Sequence, residues 1–250
     1  MFIRPADNRS LIVDASAGLS LGVLPGLEDF AQAVQPCLAA LDGLVCSPGQ
    51  LRRFAGLTRA EAALLVRMDW NNTLRGSDFV LPASQPFRVP ILTAQDAFEL
   101  GATGMVTTFL LGYEEDIEAA SLKSAVQLAL EGKARGLPLL VEVRATGPRV
   151  SLPGKAVELG ASYALEGGAD GIIVPYPGDD SLKTIGAFVS VPWFVRPAAL
   201  ETAAAQLDKA LGCGAAGLWI DGSVFGAPDP AGLLASWHRR VHADRGEVDR

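Results

Sequence analysis

Groups able to move protons or hold an anion sit at the ends of apolar runs in this 250-residue chain. Asp14 follows Leu11, Ile12 and Val13. Glu142 and Arg144 interleave with Val141 and Val143. Arg67 and Asp69 end the run from Ala63 and lead into Trp70, Asn71 and Asn72. Tyr176 follows the run Gly171 to Val174 and Pro175. Arg196 follows Trp193, Phe194 and Val195, and Asp221 with Gly222 follows Leu218, Trp219 and Ile220. Carboxylates in such places act as general acids or bases, and a phenol donates a proton. Guanidinium groups hold carboxylate or phosphate and stabilise the charge of an enolate. On these grounds Asp14, Glu142, Arg144 and Tyr176 are assigned to catalysis. Arg67, Asp69, Asn71, Arg196, Asp221 and Gly222 are assigned to substrate binding.

The elements that must position these groups follow one grammar, a short apolar strand, a polar strand end, then a helix. Strands are expected at 10–13, 43–46, 63–69, 104–109, 137–144, 171–174, 191–196 and 216–221. Helices are expected at 27–41, in short pieces at 51–54 and 58–62, at 93–100, 114–135, 152–166, from 179 or 180, at 200–211 and at 229–242. Thr58 to Glu61 fits a capping box. Eight strand–helix units in a chain of this length predict an α/β fold, a (β/α)8 TIM barrel forming one domain over residues 1–250 with a polar tail from about 243. In such a barrel the C-terminal strand ends form the active face.

Strand parity refines the assignment. Val141 and Val143 suit the helix-covered face, so Glu142 and Arg144 point inward, and Arg67 and Asp69 share an inner face likewise. The plain alternative is a lattice of ion pairs without a ligand, because charges inside a barrel must pair. Asp14 stands apart, since Ala15, Ser16, Ala17 and Gly18 leave room for a ligand beside it. Trp70 either stacks on a ligand or packs on a helix. Tyr176 is either a proton donor or a half-buried aromatic. The stretch 70–90 has the length of a functional lid or binding loop. His238 and His242 have the i,i+4 spacing of a metal pair, but beside Arg239 and Arg240 they read as a solvated helix face. No histidine is placed to activate Cys46.

Bulk properties exclude several classes. A formal charge of −7 and a pI near 4.9 without a basic cluster argue against nucleic acid and anionic membrane. Three cysteines without a CxxC pair imply free thiols in a reducing compartment. No leader or spanning segment is evident, so the expected location is the cytoplasm.

The ordered pieces resemble the archaeal-type class I aldolases, a group spanning DhnA-type fructose-bisphosphate aldolases, LsrF-like thiolases and the DeoC/LacD enzymes. The similar pieces are Leu11 to Asp14 with Leu24 to Glu28, Glu131 to Val143, Glu158 to Ala161, Gly168 to Asp170 with Tyr176 to Asp179, and Gly214 to Phe225 with Asp229 and Pro230. The resemblance implies a Schiff base on a strand-six lysine, an acid–base aspartate matching Asp14, and a phosphate nest after strands seven and eight. Yet the lysine position falls on Ile173, or on Pro175 after a shift of two. All five lysines (Lys123, Lys133, Lys155, Lys183 and Lys209) read as helical. The family histidine after the aspartate is Ala15, the strand-seven glycines are Arg196 and Pro197, the strand-eight Gly-Arg is Asp221 and Gly222, and a strand-five aromatic position is held by Glu142 or Arg144. The expectation is an aldolase-like lyase acting on a small carbonyl or sugar-phosphate compound by enolate chemistry without that lysine. The electrophile would be Arg144 or Arg67, with Asp14 or Glu142 as base and no cofactor, or else a divalent metal on Asp14, Asp69, Glu142 or Asp221. The alternative is an inactive homologue serving as a binding or regulatory subunit. Homo-oligomers are expected by analogy, with a paralogue as a further partner.

Overall fold

The computed structural model describes residues 3–4, 6–54 and 62–243. Its parallel strands are β1 (Ser10–Asp14), β2 (Gly43–Cys46), β3 (Ala63–Arg67), β4 (Gly104–Leu111), β5 (Leu139–Ala145), β6 (Gly171–Pro175), β7 (Trp193–Arg196) and β8 (Gly217–Asp221). Each pairs with its sequence neighbours, and β8 returns to β1 to close the barrel, setting Asp14 beside Asp221. Gly217 has φ 148°, and a Cβ there would meet the Ser10 carbonyl oxygen at 1.9 Å. The seam therefore needs a residue without a side chain.

Alternation along the strands separates two apolar regions. Ile12, Val45, Leu65, Val106, Leu140, Ile173, Phe194 and Trp219 fill the barrel interior. Residues of the opposite parity, such as Val141, Val143, Ile172 and Val174, pack under the helices. Two residues beyond the interior positions come Asp14, Arg67, Thr108, Glu142, Pro175, Arg196 and Asp221. A polar layer therefore lies directly on the apolar plug, at the C-terminal end.

Local signals explain the outer ring. The helix Ala94–Glu99 starts on a capping box between Thr93 and Asp96. The helix Glu115–Lys133 carries Glu115, Asp116 and Glu118 in its first turn, where the dipole favours anions. Two expectations are corrected. The third strand ends at Arg67, and Asp69–Asn71 pairs antiparallel with Arg88–Pro90 in a separate ribbon. The 70–90 stretch is thus anchored by that ribbon. The helix expected at 27–41 is split into Phe30–Val34 and a 3₁₀ turn Gln35–Ala40, because Pro36 cannot donate to a continuing α-helix. The capping box at 58–61 lies outside the described residues. No described helix is long and apolar enough to cross a membrane.

Candidate active site

Three arginines converge on Glu142. Arg67 Nη1 is 2.9 Å from Glu142 Oε2, and Arg144 Nη2 is 2.9 Å from Oε1. Arg144 Nε also donates to Oε1 at 3.0 Å, and Arg196 Nη1 lies 3.8 Å away. Burial alone would raise the Glu142 pKa. Arg144, Arg67 and Arg196 outweigh it and hold the carboxyl at about 2. Glu142 is therefore a permanent anion and a poor base near neutral pH, which narrows the expected choice of base to Asp14.

Asp14 is fixed from two sides. Its Oδ2 pairs with Arg67 Nη2. Its Oδ1 accepts the Ser16 backbone N–H at 2.9 Å and the Ser16 hydroxyl at 2.5 Å. Oδ2 keeps a lone pair for a further donor. Arg67 Nε also donates to Ser16 Oγ at 3.2 Å. Burial works against the Arg67 charge, but Asp14, Glu142 and Asp69 together raise its pKa further. Arg67 thus braces β1 against β5 and has little freedom to follow a ligand.

A cavity of about 280 Å³ opens above this lattice. Asp14, Glu142, Arg144, Arg196, Asp221 and Gly222 contribute to its wall. Trp219 forms the floor side, and Leu21, Leu24, Pro25 and Leu74 form an apolar rim. Gly26 sets that rim: its φ is 80°, and a Cβ there would sit 2.0 Å from the Phe225 carbonyl oxygen. Burial lowers the Arg196 pKa, Glu142 opposes this and Arg144 adds to it. Asp221 accepts the Ser223 backbone N–H at 2.9 Å and is exposed. A wider depression of about 620 Å³ lies between outer helix ends around Gly136 and Gly167, away from the strand-end charges.

The remaining assigned residues are placed elsewhere. Asp69 accepts from Thr108 N at 2.8 Å and Thr107 Oγ1 at 3.2 Å, and pairs with Arg88 at 3.3 Å, so it locks the ribbon to β4. Asn71 is buried, with its Oδ1 accepting from Thr73 Oγ1 at 2.8 Å. Neither lines the cavity. Tyr176 shares the parity of Ile172 and Val174 and faces the helices, where its hydroxyl donates to Asp179. That bond raises its pKa, with burial adding to it. The expected proton donor is thus turned away from the mouth. Trp70 donates from its indole to the Leu19 carbonyl at 2.9 Å and packs on Phe87, clear of the cavity. Cys46 is buried, and burial followed by Asp14 pushes its thiol pKa up, so the thiolate is disfavoured. Sequence reasoning missed Ser16, Arg88 and Ser223. Arg88 had one visible signal, a cation between Phe87 and Val89.

All five lysines sit on outer helices and are exposed. Ile173 packs inside the barrel, and Pro175 pairs with Arg196. Glu142 is the β5 partner of Ile173. The strand β6 position is therefore apolar, with Arg144 and Arg196 on the strands either side.

The sequence relatives of the chain include DhnA-type class I aldolases, and its barrel matches the fold of an archaeal fructose-bisphosphate aldolase. The chain is 27% identical to an uncharacterized aldolase of Saccharolobus solfataricus, covering 96% of this chain and 93% of the relative. It is 26% identical to 2-amino-3,7-dideoxy-D-threo-hept-6-ulosonate synthase of Halobacterium salinarum, over 95% and 88%. It is 24% identical to a 3-hydroxy-5-phosphonooxypentane-2,4-dione thiolase of Yersinia enterocolitica, over 95% and 79%. An archaeal fructose 1,6-bisphosphate aldolase superposes with TM-score 0.78 at 19% identity, covering 96% of both chains. A Schiff-base-forming fructose-1,6-bisphosphate aldolase gives 0.80 at 20%, over 96% and 97%. No protein-family profile matches the chain.

Proposed function

We propose that this protein is an aldolase-type lyase acting on a small, oxygen-rich keto compound bearing an anionic group, without a Schiff base. The observation that carries this reading is the pairing of Arg144 and Arg196 on the cavity wall beside Asp14, with no lysine among the lining residues. The substrate carbonyl sits against the two guanidinium groups. Asp14 takes the proton from the hydroxyl on the carbon β to that carbonyl, at the far end of the C–C bond to be cut. As that hydroxyl becomes a carbonyl, the electrons of the broken C–C bond pass to the enolate oxygen, which the arginines neutralise. The reverse sequence forms the bond. Glu142 stays ionised and keeps the cations in register, while Asp221 and the Gly222 backbone receive substrate hydroxyls. Leu21, Leu24 and Leu74 limit water at the enolate.

The relatives support the substrate class, since two of their names describe an ulosonate synthase and a thiolase of a phosphonooxy dione. The open, charged cavity supports an enzyme over an inactive homologue, whose mouth would have no need of a cation pair. The test is borohydride trapping with a panel of keto and aldehyde compounds, read by intact mass, together with turnover assays with and without EDTA. The expected result is turnover without a reduced adduct, insensitive to EDTA. An adduct on a lysine overturns the lysine-free mechanism, EDTA-sensitive turnover assigns the electrophile to a metal, and absence of turnover across the panel favours a binding subunit.

A further inference from the structure

The N-terminal end of the barrel holds a second buried cluster that the mouth chemistry does not use. His238 and His242, one turn apart on the helix Pro230–Val241 and its C-cap, face Asp42 at the entry to β2. The expectation of a solvated helix face is corrected, because their side chains are only 18% and 12% exposed. Their rings lie 4.4 Å apart. His242 Nε2 is 2.8 Å from Asp42 Oδ2, and its Nδ1 is 2.5 Å from Asp7 Oδ2. His238 Nε2 is buried, makes no hydrogen bond and lies 3.8 Å from Asp42 Oδ1.

We propose that Asp42, His238 and His242 form a binding site for a divalent transition metal of the zinc class. One ligand atom from each lies within 4.8 Å of the other two. Two imidazoles and a carboxylate match the preference of zinc, and the i,i+4 spacing puts both rings on one helix face. The unpartnered Nε2 of His238 is the lone pair that a metal would take up. Asp7 supplies the outer carboxylate that metal-bound imidazoles characteristically hold, fixing Nδ1–H of His242 and freeing Nε2 for the ion. The proton now shared by Nε2 and Asp42 leaves to solvent on binding. Arg4 is the local competitor. Its Nε is 2.5 Å from Asp42 Oδ1, but its side chain is 45% exposed and is free to swing outward. Arg9 is already committed to the helix-end carbonyls of Val241 and Ala243 at 2.7 and 2.8 Å. The site lies at the stability end of the barrel. A metal there would clamp the last helix to the β1–β2 junction without touching the mouth.

The experiment uses the full chain after chelator treatment, titrated with zinc by calorimetry and with cobalt by absorption. Expected are one equivalent of zinc per chain, visible bands of low-coordinate cobalt, and a thermal midpoint raised by about 5 °C at a hundredfold excess over Kd. His238→Gln removes one ligand and no hydrogen bond, so it should keep the fold, lose the zinc-dependent shift and weaken binding at least tenfold. Stoichiometric binding that survives His238→Gln overturns the site, as does no binding by the wild type. A wild-type equivalent lost on Asp221→Asn instead assigns the metal to the mouth and overturns the proposal too. The outcome is independent of the lyase reading, because occupancy is read without turnover.

Discussion

At the mouth three arginines converge on one glutamate, whereas at the opposite end two aspartates share one histidine. The first arrangement sets two guanidinium groups, Arg144 and Arg196, on a cavity wall, suited to a substrate that becomes more negative as it reacts. The second leaves carboxylate in excess around imidazole, suited to a proton or a metal. Both are buried, and both depend on partners far apart in sequence. The lesson is that one barrel isolates two electrostatic regimes by placing a layer of Ile12, Val45, Leu65, Val106, Leu140, Ile173, Phe194 and Trp219 between them.

The largest effect expected is for Glu142→Gln, which strands Arg67, Arg144 and Arg196 without their shared anion. Unfolding by urea at pH 7 should show a loss of about 3–5 kcal/mol. A loss below about 1 kcal/mol would mean that the arginines are paired elsewhere and would break the comparison. Next come Arg144→Met and Arg196→Met. Each should lower kcat/KM about 10²–10³-fold with far less effect on stability than Glu142→Gln. Equal losses of stability in all three variants would make the lattice structural.

Acid and base should separate the two ends. Glu142 is held at about 2, below its ordinary 4.5, so its stabilisation is present above 4.5 and is lost as pH falls toward 2. For His242, burial lowers the pKa, but the hydrogen bonds to Asp42 and Asp7 raise it above its ordinary 6.5. That stabilisation is full below 6.5 and is lost as pH rises through the raised value. In chelator, His242→Gln should cost about 1–2 kcal/mol at pH 6 and visibly less at pH 9, followed by thermal melts. A gap that widens with pH would reverse the reading of the histidine end. The smallest effect is for Tyr176→Phe, where turnover should stay within about twofold and stability within about 0.5 kcal/mol, since its hydroxyl serves only the exposed Asp179–Lys209 pair. A hundredfold loss of turnover would bring that ring into the mouth chemistry.

The eight-strand barrel and the inward parity of Glu142 and Arg144 were legible because Val141 and Val143 alternate with them on a strand buried on both faces. Tyr176 was misplaced because Pro175 ends β6 one residue earlier, which puts the tyrosine on the outer face. Asp69 was misread because nothing local marks the break after Arg67; Arg88, nineteen positions on, is what holds Asp69 in the ribbon. The histidine cluster escaped for the same reason. Its helix looks solvated when read alone, and Asp7 and Asp42 come from the other end of the chain.

The Arg67 brace has a bearing on how the chain can be divided. Asp14 and Arg67 lie on β1 and β3, while Glu142, Arg144 and Arg196 lie on β5 and β7. A cut at exposed Gly136 would leave each half-barrel with its own opposite charges, Asp14 with Arg67 and Glu142 with its two neighbours. Among the described residues the bond from Arg67 to Glu142 is the one mouth ion pair that spans the cut. Two separately made fragments would therefore meet with most of their mouth charges already paired within each half, leaving the Arg67–Glu142 bond to set their alignment.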